Sequence, residues 1–196
     1  MEESEKNKST KNKKTFFIFF QKIFLLFWVS ALIGHYLEVI LSHLNQIIYG
    51  GDLWVPIIQT TIPLSPPYGI GMIFVVLVNI PLIKKYKLHP FGAFALNVFI
   101  TGLVEYICAA IIVAVAGYNR YWGYSGQPFN INGYVCLKSA IIFGIGATIF
   151  IYLIYPLLVK TSQLLKKWQF NLLFWVLFLD YAIELILLLV KGGVFN

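Results

Sequence analysis

The chain has 196 residues, of which 59% are hydrophobic and 12% charged, and it carries a formal net charge of +7. Its mean hydropathy of +0.79 means more apolar surface than a soluble domain of this length can bury, which excludes the soluble classes. The long apolar runs lack the alternate-residue pattern of barrel strands, so the expected fold is all-α: a polytopic helical membrane protein in the lipid bilayer.

In chain order, residues 1–14 are polar and lysine-rich, and are expected to form a disordered cytoplasmic tail. Residues 15–196 then form a single transmembrane domain. The apolar run after the tail is too long for a signal-peptide core and ends in no small-x-small cleavage site, so it is expected to remain as an anchor. Five spans are expected, at about 16–41, 68–83, 91–116, 131–159 and 169–190. Residues 39–48 have the apolar spacing of an interfacial helix. Residues 53–64 are apolar but broken by Pro56 and Pro63, and either re-enter the membrane or lie on its outer surface.

Lysine placement orients the bundle. Lys6, Lys8, Lys11, Lys13 and Lys14 precede the first span, Lys84, Lys85 and Lys87 follow the second, and Lys160, Lys166 and Lys167 follow the fourth. The alternate loops hold only Arg120. Short cytoplasmic loops collect basic residues, so the N-terminus is expected in the cytoplasm and the C-terminus outside. The net charge is thus an orientation signal and gives no reason to invoke nucleic acid.

Ionisable side chains within spans cost roughly 2.5–3.5 kcal/mol each, so they are candidate functional residues. They are Glu38, Glu105, Lys138, Asp180 and Glu184. Glu38 shares a stripe with Ser30 and Gly34, and Glu105 one with Thr101, Gly102 and Ala109, small residues that allow close helix approach. Asp180 and Glu184 are four apart on one face and repel each other. Lys138 and Glu184 are expected at a similar depth, about 10 Å from the outer end at 1.5 Å per residue, and so to pair. Such charges either hold helices together or mark a substrate or ion pathway. No nucleotide-binding motif, nucleophile constellation or metal spacing is visible, and His35, His43 and His89 are scattered. No catalytic activity and no cofactor is expected. Cys108 and Cys136 are expected to be small buried residues.

Between the third and fourth spans lies a cassette, Trp122-Gly123-Tyr124-Ser125-Gly126-Gln127-Pro128-Phe129-Asn130-Ile131-Asn132-Gly133. Its aromatics stand among hydrogen-bonding side chains, which points to a folded cap rather than a slack loop. Tyr124, Ser125, Asn130 and Asn132 are expected to hydrogen-bond within the loop, with Asn130 or Asn132 capping the fourth span.

Trp122-x-Tyr124-Ser125-x-x-Pro128-Phe129-Asn130-x-x-Gly133, followed by Cys136-Leu137-x-Ser139 and Gly144, resembles the signature of the ABC-transporter type IV family, also called CmpB-like. Gly34-x-x-x-Glu38, Pro67-Tyr68-Gly69-x-Gly71 and Val104-Glu105-Tyr106 agree in order, so the resemblance covers about residues 30–150. The chain departs from the family pattern at Gly123, where Asp is usual, at Tyr134, where Arg is common, and at His35, where Trp is usual. It also lacks an expected Asn-Arg-Gly piece before Pro67. The resemblance implies a multi-pass protein of a bacterial cell membrane, acting as a permease-like subunit with a separate ATPase. Five spans make a thin wall for a pore, so a homo-oligomer or heteromeric partner is expected if anything passes through. The alternatives are a non-transporting accessory or regulatory protein and, with only the Asp180/Glu184 pair behind it, a small enzyme acting on a lipid-borne substrate.

Overall fold

A computed structural model of the chain describes residues 2–49, 62–119 and 122–190. The elements are α1 (Glu2–Tyr49), α2 (Pro66–Phe74), α3 (Ile80–Lys85), α4 (Pro90–Ala116), β1 (Asn130–Ile131), β2 (Val135–Cys136), α5 (Leu137–Ile149), α6 (Tyr155–Leu164) and α7 (Lys167–Val190). π-Helical turns at Val75–Asn79 and Phe150–Ile154 join α2 to α3 and α5 to α6 as continuous rods. Among the described residues, five helical stretches are long and apolar enough to cross a bilayer: Asn12–Ile48, Pro66–Lys85, Pro90–Ala116, Leu137–Leu164 and Lys167–Leu187. The chain is a helical membrane protein with almost no sheet.

Helix α1 starts at Glu2, so helical backbone runs through the lysine-rich segment expected to be a tail. It also continues to Tyr49, absorbing the segment expected to form a separate interfacial helix. The question of re-entry at residues 53–64 falls largely on residues outside those described. The fourth span begins at Leu137 rather than 131, because β1 and β2 pair as an antiparallel hairpin, Asn130 with Cys136 and Ile131 with Val135.

Both π turns end two residues before a proline, Pro81 and Pro156. Proline has no N–H, and its ring crowds the carbonyl one turn back. A locally widened turn relieves that crowding without ending the rod, as the backbone bond from Ile80 N to Val75 O, spanning five residues, illustrates.

The chain divides into two compact units, one from Met1–Gly69 and Lys167–Lys191, the other chiefly Ile70–Lys166. In the first, α1 and α7 meet along an aromatic seam. Phe24 lies 5.5 Å from Phe174 and 5.3 Å from Phe178, ring centre to ring centre, and Gln21 donates to Asn171 Oδ1 at 3.1 Å. Gly34 and Gly69 admit close neighbours: a methyl group on the first would overlap the Tyr68 ring, and on the second Phe27.

In the second unit α4 packs on α5. His89 caps α4 by accepting from Phe91 N, Pro90 occupies the first turn, and Gly117 at φ 80° ends the helix. Every fourth residue or so of one α4 face is small or polar and buried: Ala93, Asn97, Thr101, Gly102 and Ala109. Gly144 of α5 sits so near Val98 that a Cβ there would lie 2.9 Å from the Val98 Cα. Small residues at such crossings let backbones approach, which is how helices associate without a hydrophobic driving force.

Candidate functional site: a clamped carboxylate beneath a folded cap

The cassette is folded, and its folding is readable from backbone chemistry. Asn132 (φ 53°) and Gly133 (φ 71°) both occupy the left-handed region, and Tyr134 N bonds to Ile131 O at 2.9 Å. This is the type I′ turn that Asn-Gly favours. Asn130 holds the preceding strand: its Nδ2 donates to Gln127 O at 2.8 Å, and its Oδ1 accepts from Gly133 N at 3.0 Å. Ser125 contributes its carbonyl, a further acceptor for Asn130 Nδ2, and Tyr124 N bonds to Gly133 O. Trp122 ties the start of the cassette to its end, donating Nε1–H to Tyr134 O at 3.0 Å. Pro128 is exposed and Phe129, in the left-handed region at φ 54°, is 80% exposed.

Two side chains leave the loop and reach α4. Asn132 Nδ2 donates to the Tyr106 hydroxyl at 2.9 Å, so Asn132 anchors the hairpin and does not cap α5. Nor does Asn130: the cap is Cys136, whose sulfur accepts from Ser139 N while the Ser139 hydroxyl accepts from Cys136 N. The extended backbone of β2 supplies the non-helical geometry that a cap residue needs, which is why the cap falls there. Cys136 is buried as expected and has this second task.

Tyr124 donates to Glu105 Oε1 at 2.8 Å, and Ser139 to Glu105 Oε2 at 2.9 Å. The single Ser139 proton has Cys136 O as an equally distant alternative, but the carboxylate is the stronger acceptor. Burial first, then the Glu105 carboxylate, pushes the Tyr124 phenol well above its ordinary pKa, so Tyr124 acts as a donor. A carboxylate on α4, a hydroxyl from the loop and a hydroxyl from the first turn of α5 thus form one clamp.

The other acids are placed differently. In the first unit, Glu38 of α1 accepts from Ser65 Oγ at 3.2 Å and also hydrogen-bonds Tyr68. Asp180 and Glu184 are half-buried on α7, in the same unit. Lys138 is exposed at the second residue of α5, in the other unit.

A polar chain absent from the sequence-based expectations runs through the second unit. Asn79 Nδ2 donates to Asn97 Oδ1 at 2.7 Å, Asn97 Nδ2 to Thr148 Oγ1 at 2.9 Å, and Thr148 Oγ1 to Gly144 O at 2.7 Å. Asn79 and Asn97 are fully buried, and the Asn79 Oδ1 has no hydrogen-bond partner among the described residues. Their signal lies in the sequence, since amides inside an apolar run are as conspicuous as acids.

The profile of the family described as Putative ABC-transporter type IV matches residues 25–189. The chain belongs to that family. The match is wider than the motif resemblance, taking in nearly all of α7 as well as the cassette. The family name indicates a transporter-type membrane protein, and the five apolar helices accord with a multi-pass one. No curated protein and no solved structure matches the chain.

Proposed function

We propose that the chain is the permease-like membrane subunit of a transport system driven by a separate ATPase, embedded in the cell membrane with its N-terminus in the cytoplasm. The observation that carries this is the Asn79–Asn97–Thr148 chain beside the π turn of α2–α3. Polar groups at depth within spans commonly mark a substrate path, the π turn widens the helix where these sit, and a buried amide oxygen with no donor among the described residues is available to a substrate. The sequence given shows no nucleotide-binding motif, which fits an arrangement in which a separate ATPase supplies the energy. The family name supports the same assignment. Lysine asymmetry supports the orientation.

One observation favours a non-transporting accessory role instead. Both oxygens of Glu105 are engaged by Tyr124 and Ser139, the pattern of a fastener rather than of a group awaiting a ligand. Mild extraction from native membranes after chemical cross-linking separates the two. Stoichiometric recovery of an ATPase, with ATP hydrolysis changed by the purified chain, is the expected result. A protein recovered alone, with no ATPase cross-linked to it, overturns the permease assignment in favour of the accessory one.

A further inference from the structure

The two proline-broken rods are alike in more than their prolines. Tyr68–Lys85 and Phe143–Lys160 align without a gap, every residue of the second lying 75 positions after its counterpart. Gly69-Ile70-Gly71 corresponds to Gly144-Ile145-Gly146, the π turn Val75–Asn79 to Phe150–Ile154, Pro81-Leu82 to Pro156-Leu157, and Lys85 to Lys160. Isoleucine and leucine matches mean little in an apolar helix. Two glycines, a proline and a π turn at fixed spacing mean more, because each imposes its own backbone demand.

The environments agree at the glycines, although α4 packs along α5 whereas α1 packs chiefly on α7, and Phe27 and Val98 are not counterparts. At the first glycine of each pair a Cβ would overlap the preceding long helix, Phe27 for Gly69 and Val98 for Gly144, whereas at Gly71 and at Gly146 it would meet open space. Those preceding helices also correspond, at an offset of 67: Phe24 with Phe91, Phe27 with Phe94, Ile33 with Ile100, Glu38 with Glu105, and the buried Ser30 with the buried Asn97.

Each acid is then used in the same way. Glu38 takes hydrogen bonds from Ser65, immediately before α2, and from Tyr68; Glu105 takes them from Ser139, in the first turn of α5, and from Tyr124. The serine lies 27 residues after the acid in the first case and 34 in the second, so Ser139 stands one position before the counterpart of Ser65, which is Ala140. The tyrosines have different origins for a chemical reason. Phe143 stands at the Tyr68 position and has no hydroxyl, and the cassette supplies one through Tyr124.

We propose that the chain contains two tandem copies of one helix-pair module, α1 with α2–α3 and α4 with α5–α6, and that Glu38 and Glu105 are their equivalent positioning residues. Each carboxylate fastens the start of its module's second helix to the latter half of its first. Each second helix is therefore fixed at one end and deformable at its π turn. The copies run in the same direction along the chain, a parallel repeat, with α7 added after them. This holds whether or not the chain transports anything.

Buried reporters test the equivalence. Cys136 is 2% exposed and Leu64 4% exposed, each beside its own clamp. Two proteins with a single thiol serve, both carrying Cys108→Ala: one keeps Cys136, the other has Leu64→Cys with Cys136→Ser. Maleimide labelling is followed in detergent micelles. Glu105→Ala should speed labelling of Cys136 about ten-fold and leave Leu64→Cys unchanged, and Glu38→Ala should do the reverse, since losing two hydrogen bonds eases local opening. Glu105→Gln and Glu38→Gln, which keep an acceptor and the side-chain shape, should restore most of the protection. An alanine variant that leaves its own reporter protected overturns the equivalence. So does one that exposes both reporters alike, or a glutamine that fails to restore protection in one module while succeeding in the other.

Discussion

A single methyl group at Gly144 should do more damage than one at Gly146, two residues along the same helix. In Gly144→Ala the new Cβ would meet the backbone of Val98, 2.9 Å from its Cα and 3.0 Å from its N, atoms that cannot rotate away. The α4 and α5 backbones must therefore separate, and overpacking of this kind costs about 1–3 kcal/mol. The separation also acts on the polar chain, because Asn97 adjoins Val98 and Thr148 bonds to the Gly144 carbonyl. Stretching the Asn97–Thr148 bond leaves buried amide groups unmet, adding about 1–3 kcal/mol. Against this, alanine in place of glycine returns up to about 1 kcal/mol of helix propensity. The net loss is about 3 kcal/mol, which for a chain of this size lowers the melting temperature by on the order of 10 °C. At Gly146 the methyl meets nothing, so only the propensity gain remains and the melting temperature should hold or rise slightly. Size-exclusion recovery after heating in detergent measures both. Equal melting temperatures for the two variants would refute the close α4–α5 crossing.

In a Cys108→Ala, Cys136→Ser background, cysteines at Ser9, Tyr86 and Ser162 should be shielded from an impermeant thiol reagent in intact cells, while one at Asn119 reacts; labelling at 86 from outside would sink the proposed orientation. If Lys138 neutralises Glu184, Lys138→Met should cost about 1 kcal/mol of stability, Lys138 being exposed, and Lys138→Met/Glu184→Gln should recover much of it. An unchanged melting temperature in the single variant would show that the ion pair does not form.

The spans were legible because lipid leaves the backbone no alternative to long apolar helices, and residues 91–116 read correctly almost to the residue. The start of the fourth span did not. Ile131, Val135 and Cys136 are apolar enough to extend it, and the hairpin is set by the positive φ of Asn132 and Gly133, a turn signal that hydropathy does not register. The end of the first span failed for the complementary reason: nothing in 39–49 stops a helix, so α1 runs on. The cassette was legible as a folded unit, yet its anchors were not, because Tyr124 and Asn132 find partners on another helix rather than in the loop. The repeat escaped notice because leucine and isoleucine matches between any two spans obscure the few glycines and prolines that define it.

Glu105 shows why a charge within a span is an incomplete guide to function. Its oxygens take two hydroxyl hydrogen bonds, each worth about 1.5–3 kcal/mol to a charged acceptor, which offsets much or all of the roughly 2.5–3.5 kcal/mol of burying the acid. A carboxylate so compensated can serve as structure, each of its oxygens holding one hydroxyl and keeping a second lone pair. Asn79 is the contrasting case. It carries no charge, and one of its two polar atoms is satisfied by Asn97, but its carbonyl oxygen is buried beside a π turn with nothing donating to it. Leaving that oxygen unmet costs about 1–3 kcal/mol, and the protein bears the cost at a position where the second module has Ile154. A chain retaining only its fold could place an isoleucine at both sites. On the proposed permease reading, the asymmetry between Asn79 and Ile154 makes Asn79 a better candidate for a substrate contact than Glu105.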